Sequence, residues 1–372
     1  MDREILHAGR EITTPLVGLR GREYSRLCKV RRGWLPVLLG LSLLACGPAP
    51  TADTPLPVID AHLAAVPASF GDNRVELLTD GAVAAGRMRE LMKGAHASIE
   101  AEIYEFDRAD LADALVAALS RGVKVTLVED PTVDVNTATA ARLRQAGAEV
   151  LDFPVQQRQI DHVKLLIVDF ATAVFGGMNW GSGSWQNRDF DLAVSGPIIA
   201  HLAEIFAADV IRSGGRAALA AAAPDPSGFR LVATYPEAQV RPAVLSAIAA
   251  AQTQVFIEMY VMTDSEVIAA LSEAARRGVA VFVLFDPNQD LNQLAAARLR
   301  DGGVHARFFR THGEKLHAKA MEVDRHRLIV GSANWTSSGF LHNHELDAAI
   351  ESPALASEAL ARMESDWNAS AS

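Results

Sequence analysis

At 372 residues the chain is too long for one ordinary core and about right for two domains. Apolar residues make up 49% and charged residues 22%, with no long biased tract, which excludes a disordered or fibrous chain. The net charge of −10 argues against a surface built to hold nucleic acid by phosphate electrostatics. The two cysteines, Cys28 and Cys46, both precede the body of the chain, so neither a disulfide framework nor a cysteine metal site is expected there.

The first element is an apolar run from Leu35 to Ala45 behind the basic residues Lys29, Arg31 and Arg32. It is too short to span a bilayer comfortably but fits the apolar region of a signal peptide. It ends in Leu43-Leu44-Ala45-Cys46, which resembles a bacterial lipoprotein cleavage box with Cys46 as the lipidated residue. Residues 1–46 are therefore expected to be a lipoprotein-type signal segment, and 47–72, Pro/Ala/Thr-rich at its start, a flexible tether. The expected location is the envelope of a bacterium, with the protein held at the outer membrane or periplasmic face by its lipid. The remainder after residue 45 carries 27 basic and 41 acidic side chains, a net charge of −14.

The body is an internal repeat. Glu102-Ile103-Tyr104 matches Glu258-Met259-Tyr260, Arg121-Gly122-Val123 matches Arg277-Gly278-Val279, and Asp130-Pro131 matches Asp286-Pro287. Ala141-Arg142-Leu143-Arg144 recurs as Ala297-Arg298-Leu299-Arg300. The offset is 156 residues, falling to 155 at His162/His317. Each half predicts a helix (about 81–95; about 238–252), an apolar strand (99–106; 254–261), a helix, and a β-branched strand (123–129; 279–285). A helix ending near Gly147 or Gly302-Gly303 follows, then further strands and a closing helix. The fold expected is α/β: two tandem α/β sandwich domains, 73–213 and 229–372, joined by a linker at 214–228. Two domain-sized copies in one chain read as a fused dimer, a monomer with an internal pseudo-two-fold, whose axis would receive one motif from each half.

One motif occurs once per half. His162, Lys164, Asp169, Gly176, Gly177 and Asn179 in the first copy correspond to His317, Lys319, Asp324, Gly331, Ser332 and Asn334 in the second. Alternate residues of a strand share a face, so His162 and Lys164 point the same way, as do His317 and Lys319. The glycines let backbone approach closely. Facing copies would surround one pocket with two imidazoles, two ammoniums and two carboxamides. Such a set suits a tetrahedral phosphate: cations and amides hold the oxygens, and imidazoles manage attack and proton transfer.

This duplicated His-x-Lys…Asp signature resembles that of the phospholipase D superfamily over roughly residues 73–370. The resemblance implies a metal-independent reaction without a cofactor, through a covalent phosphohistidine. It implies His162 as nucleophile, His317 as general acid/base, and Lys164, Lys319, Asn179 and Asn334 as ligands of the non-bridging oxygens. It also points to Asp189, 27 residues after His162, and Glu345, 28 after His317, as carboxylates bonded to imidazole Nδ1. Gly177 departs from the serine often found there, and the first half is expected to lack a hydroxyl contact near the phosphate.

Asp169 and Asp324 are expected to anchor the loop behind the motif, with Gly176, Gly331 and Ser332 as structural motif residues. Glu102 and Glu258 are candidates for the pocket floor. Trp180 and Trp335 should pack beneath the motif loops. His305, His312, His342 and His344 are expected at the surface or in loops, since their spacing is not that of zinc ligands. The leading expectation for function is hydrolysis of phospholipid phosphodiesters. A nuclease comes second, because the acidic body lacks Lys/Arg runs interleaved with aromatics. A cardiolipin synthase-like phosphatidyltransferase comes third, since membrane helices and an acidic-basic run after the motif asparagine are missing. The expected partner is phospholipid at a membrane.

Overall fold

The computed structural model describes residues 67–156, 159–218, 224–310 and 313–370. The expected signal segment with Cys46, most of the expected tether, part of the linker and His312 lie outside the described residues.

The first half runs β1 (Ala68–Phe70), β2 (Asn73–Leu78), α1 (Gly81–Gly94), β3 (Ser98–Ile103), α2 (Ala109–Ser120), β4 (Lys124–Glu129), α3 (Asn136–Ala146), β5 (Glu149–Asp152), β6 (Lys164–Val168), β7 (Thr172–Gly176), β8 (Asp191–Ser195) and α4 (Ile199–Arg212). A 3-10 turn at Ser184–Gln186 precedes β8. The second half runs β9 (Phe229–Ala233), α5 (Val240–Ala250), β10 (Gln254–Met259), α6 (Ser265–Arg276), β11 (Ala280–Phe285), α7 (Leu291–Asp301), β12 (His305–Phe308), β13 (Lys319–Val323), β14 (Arg327–Gly331), α8 (Ser337–Leu341), β15 (Leu346–Glu351) and α9 (Pro353–Ala369).

Each half builds one mixed sheet. The orders are β1-β2-β8-β7-β6-β3-β4-β5 and β12-β11-β10-β13-β14-β15-β9. Read in opposite directions they are the same sheet, with β1 the extra strand. The end of the expected tether is therefore ordered: Ala68–Phe70 pair antiparallel with β2. The parallel pairs β3–β4 and β10–β11 follow from the helical crossovers α2 and α6. Strands such as β6 (Lys-Leu-Leu-Ile-Val) are buried at every residue, because both faces of the sheet are covered.

Three cores result. Outer cores lie under α1 and α2 in the first half and under α5, α6 and α7 in the second. Between the sheets lies a shared core. It takes Leu165, Ile167 and Phe175 from one sheet and Phe256, Leu328 and Val330 from the other, with Phe206 of α4 and Leu360 and Trp367 of α9. The halves are thus joined by a continuous apolar interior, as the fused-dimer reading expects.

Repeated polar residues set the loops at both ends of the sheets. Asn136 and Asn292, buried in α3 and α7, accept from Phe106 N and Met262 N and donate to the carbonyls of Tyr104 and Tyr260. Asp130 and Asp286 accept from Asp161 N and Leu316 N, bracing the segments that lead into the motif histidines. Asp169 accepts from the backbone N–H groups of His96, Ala97 and Ser98, and Asp324 from those of Gln252, Thr253 and Gln254. Both sit in left-handed hairpin turns far from the histidines, so the motif aspartates are loop anchors.

Removing one anchor leaves three N–H groups without their acceptor. Asp324→Ala should lower stability by about 1–3 kcal/mol, seen as an earlier urea midpoint at unchanged m. An unmoved midpoint would mean the turn holds without its carboxylate.

Candidate active site

Lys164 opens β6 and Lys319 opens β13, with His162 and His317 two residues earlier on the same face. All four are nearly buried, at 5% exposure or less. Each lysine curls back to the carbonyl of its own motif histidine.

The carboxylates pair across the halves. Glu345 Oε2 lies 2.8 Å from His162 Nδ1, and Asp189 Oδ2 lies 2.8 Å from His317 Nδ1. Spacing within each half had matched Asp189 to His162 and Glu345 to His317; the structure exchanges them. The exchange follows from backbone pairing between the halves. His162 N donates to His344 O and His317 N to Arg188 O, both at 2.8 Å. These are the carbonyls immediately ahead of the two carboxylates. A carboxylate on Nδ1 keeps the proton there and leaves the Nε2 lone pair free for phosphorus. In the second half that nitrogen lies 3.1 Å from Lys319 Nζ.

Ser332 and Gly177 differ for a reason the sequence did not show. Ser332 Oγ donates to Glu345 Oε2 at 2.6 Å, so its hydroxyl serves the carboxylate and not the phosphate position. At Gly177 a Cβ would stand 2.1 Å from Asp189 Oδ1. The shorter acid occupies the space a serine would need. The missing hydroxyl in the first half is therefore a missing carboxylate partner. Gly176 and Gly331 let β7 and β14 approach Asp191 and Asp347 more closely than a side chain would permit.

Asp191 and Asp347 were not singled out from sequence. Asp191 accepts from Met178 N, and Asp347 from Ser332 N and Ala333 N, which shapes the turns that deliver Asn179 and Asn334. Their signal was present: each follows its carboxylate at i+2 in both halves. Asn179 is buried and donates to Glu105 at 3.2 Å, while Asn334 is half-buried. The Oδ1 atom of each is buried without a hydrogen-bond partner.

Tyr104 and Tyr260 were also missed as site residues, although both stood in the repeated text. Their rings meet His162 and His317 at 5.0 and 4.7 Å, and Lys164 and Lys319 lie 5.2 and 5.3 Å from the same rings. Trp180 and Trp335 are buried beneath the loops. Glu102 and Glu258 are wholly buried, Glu102 behind the His162 segment beside Asp161 and Asp209 and Glu258 beside Asp366, so neither forms a pocket floor. Of the histidines expected at the surface, His342 is exposed and His305 half-buried. His344 is the exception: it is buried, with Nε2 2.8 Å from Asp209 Oδ2. A cavity of about 510 Å³, lined by residues such as Phe170, Ile199 and Phe206, lies at the other end of β3 and β8 and contains no motif residue.

Crowded basic groups depress one another. Burial pulls His162 down to about 4; Glu345 opposes this, and Lys164 and Lys319 add to it. His317 is lowered by burial and then by Lys319, Lys164 and His162. Lys164 falls to about 7 and Lys319 to about 8, burial being the main cause in both. Glu345 is lowered despite burial, by His162, Lys164 and Ser332. Asp189 is raised by burial, which Lys319 and Lys164 only partly offset. The two imidazole–carboxylate pairs are therefore electrostatically unequal. Among the described residues, Glu102, Asp209 and His344 are the group compact enough to hold a metal ion. Arg212 lies 3.4 Å from Asp209 there, and Arg188 fills the place of His344 in the other half.

Residues 88–210 and 244–367 each match the family described as "Cardiolipin synthase, PLD-like domain", together about two thirds of the chain. The chain belongs to the phospholipase D superfamily. It carries two tandem phospholipase D-like domains and is an enzyme of that superfamily. It is similar to cardiolipin synthase A of Erwinia tasmaniensis, 27% identical over 69% of this chain and 60% of that one. It is also similar to cardiolipin synthase A of Edwardsiella ictaluri, 26% identical over 81% and 70% respectively. The chain thus spans about 60% of the length of several curated relatives. Phosphatidylserine synthase of Haemophilus influenzae shares the fold, with 13% identity, 83% and 88% coverage and a TM-score of 0.60. The two cardiolipin synthases overturn the expected ranking of functions. A hydrolase stood ahead of a synthase because membrane helices and an acidic-basic run after the motif asparagine were not seen in the sequence. Both cardiolipin synthases match over this same region, so those features were poor discriminators.

Two outcomes test the site. Glu345→Gln should change the titration of the His162 ring and leave that of His317 largely in place, read by imidazole nitrogen NMR; the reverse would restore the pairing within each half. Phosphate binding requires charged lysines, and both titrate below their ordinary 10.5. In the free enzyme kcat/KM should therefore decline as pH rises through about 7 and then about 8. A flat profile across that window would contradict the burial of these lysines.

Proposed function

We propose that the chain is a phosphatidyltransferase of the cardiolipin synthase type. It would move a phosphatidyl group from one glycerophospholipid to the alcohol of another. The reading of transfer is supported by the likeness to cardiolipin synthases over most of the chain, and the chemistry by the pair of imidazoles, each with Nδ1 held by a carboxylate from the opposite half. That arrangement supplies two chemically ready Nε2 atoms at one phosphate.

In the first step His162 Nε2 attacks phosphorus, the P–O bond to the leaving alcohol breaks, and His317 donates its proton to that oxygen. In the second step His317 takes the proton of the acceptor hydroxyl. The hydroxyl oxygen attacks phosphorus and the P–N bond breaks. Each half-reaction restores the proton inventory of the other. Glu345, the ionised partner backed by Ser332, makes His162 the more nucleophilic of the pair. A bound phosphodiester places negative charge among four depressed bases and draws protons back onto His317 and the lysines. Lys164, Lys319, Asn179 and Asn334 would hold the non-bridging oxygens.

The substrates are membrane lipids, so the protein would act at a bacterial membrane surface, with Cys46 as the proposed point of attachment. No helix among the described residues is long and apolar enough to cross a membrane.

With phosphatidylglycerol vesicles the purified protein should form cardiolipin and release glycerol in equal amounts. His162→Asn and His317→Asn should each reduce the rate by about a hundred- to ten-thousand-fold. Rapid quench should trap an acid-labile phosphoryl adduct on the His162 peptide. Formation of phosphatidic acid alone, without cardiolipin, would overturn the transferase reading.

A further inference from the structure

Behind the two imidazole–carboxylate pairs the halves build the same brace from different cations. The residue just ahead of each carboxylate is Arg188 in one half and His344 in the other, 156 positions apart. Its main chain holds a motif histidine. His344 N donates to Ile160 O at 2.9 Å, and its carbonyl accepts from His162 N at 2.8 Å. Arg188 N donates to Lys315 O, and its carbonyl accepts from His317 N, both at 2.8 Å. One residue therefore sets both the histidine backbone and the carboxylate that follows it.

The side chains of these two residues reach buried acids. Arg188 lies 3.5 Å from Asp366 and 3.0 Å from Glu314, with Glu258 nearby. His344 Nε2 lies 2.8 Å from Asp209 Oδ2 and 3.6 Å from Glu102 Oε1, with Phe153 stacked at 5.1 Å. Glu102 and Glu258 occupy matching positions of β3 and β10, and Asp209 and Asp366 lie late in α4 and α9. The groups facing His344 are Asp209 and Arg212 from α4, Glu102 from β3, Asp161 ahead of β6, and the Tyr235 ring beyond β9. Burial raises Glu102 well above its ordinary value and Asp161 to about 7, so Asp209 is the acid that His344 and Arg212 meet directly, at 2.8 and 3.4 Å. In the other half a guanidinium, Arg188, stands at the same chain position and faces Asp366.

We propose that His344 is a positioning residue that works as its imidazolium, bracing the segment that carries His162 and Glu345 as Arg188 braces His317 and Asp189. It does not touch the phosphate. Loss of its proton removes the cation that faces Asp209 at 2.8 Å, and the His162 backbone and the Glu345 carboxylate move together. Burial lowers the ring's affinity for a proton, but Asp209 more than offsets it, and the net direction is above the ordinary 6.5. The cation is present below that raised value and lost as pH climbs through it, so the brace weakens on the alkaline side.

The inference rests on the two-histidine site and not on which alcohol accepts the phosphatidyl group. It is therefore tested by release of the leaving alcohol from a soluble phosphodiester, bis(p-nitrophenyl) phosphate, and separately by nitrogen NMR of the His344 ring. His344→Gln should lower kcat by about ten- to a hundredfold with KM within about twofold. His344→Arg should recover most of that loss, since a cavity of about 290 Å³ bordered by Arg212, Thr234, Tyr235 and His344 leaves room for it. Its profile should lose the part of the alkaline decline that the lysines do not cause, and Arg188→His should add such a part. The NMR signal should show an imidazolium at neutral pH in the wild type. A neutral ring there, wild-type kcat in His344→Gln, or a folded His344→Arg as impaired as His344→Gln would each overturn the proposal. The ring signal decides the matter even if the diester is not turned over. Failure to make cardiolipin while the variants keep this order would count against the transferase reading alone.

Discussion

Each motif histidine takes its orienting carboxylate from the other half of the chain, and most of the architecture serves that exchange. The hydrogen bonds from His162 N to His344 O and from His317 N to Arg188 O bring the two sheets together at the site. They can form only if the sheets stand in one fixed relation. The shared core between β6, β7, β13, β14, α4 and α9 provides that relation. Apolar burial is non-directional and tolerates small slides, whereas the two 2.8 Å imidazole–carboxylate contacts do not. The core holds the halves together and the crossed pairs set their register.

Electrostatics runs against this arrangement and explains its sensitivity. Two imidazoles and two ammoniums are buried within reach of one another, so each holds its proton less firmly than it would in water. The acids set behind them are crowded in turn and mostly raised, Asp347 to about 7 and Asp191 to about 6 by burial. A site in this condition is preorganised for an anion. Its donors are gathered in one place before a phosphodiester arrives. Asn136 and Asn292 fix the segments beside Tyr104 and Tyr260, and Asp169 and Asp324 anchor the turns at the far end, without taking part in the chemistry.

Much of this was legible in the sequence because it was written twice. The repeat offset identified both domains, and the period of two put each histidine and lysine on one face. Repeated Asp130-Pro131 and Asp286-Pro287 proved to be the braces ahead of the histidines. The exchange of Asp189 and Glu345 was not legible. Under pseudo-two-fold symmetry both assignments have the same composition and nearly the same spacing, and only backbone pairing between halves distinguishes them. The role of Ser332 was misread for a related reason, since a hydroxyl near a phosphate site can face either the phosphate or the carboxylate. Transfer was wrongly ranked behind hydrolysis, because the motif describes attack on phosphorus and leaves the acceptor undefined. His344 looked like a surface histidine because its partners, Asp209 and Glu102, lie more than a hundred residues away in sequence.

Duplication within one chain also allows the copies to diverge, which an assembly of identical subunits cannot do. The first half pairs Gly177 with the short Asp189, and the second pairs Ser332 with the longer Glu345. One half braces its carboxylate segment with Arg188 and the other with His344. Each difference falls beside a motif histidine and leaves the His-x-Lys pairs themselves alike. The reaction needs one imidazole to attack and one to carry a proton, and two equivalent histidines would have no preference between these tasks. Glu345, kept ionised by His162, Lys164 and the Ser332 hydroxyl, and Asp189, raised by burial and without a serine, make the pairs unequal before any substrate binds. The asymmetry that divides the chemical labour therefore lies in the residues behind the histidines.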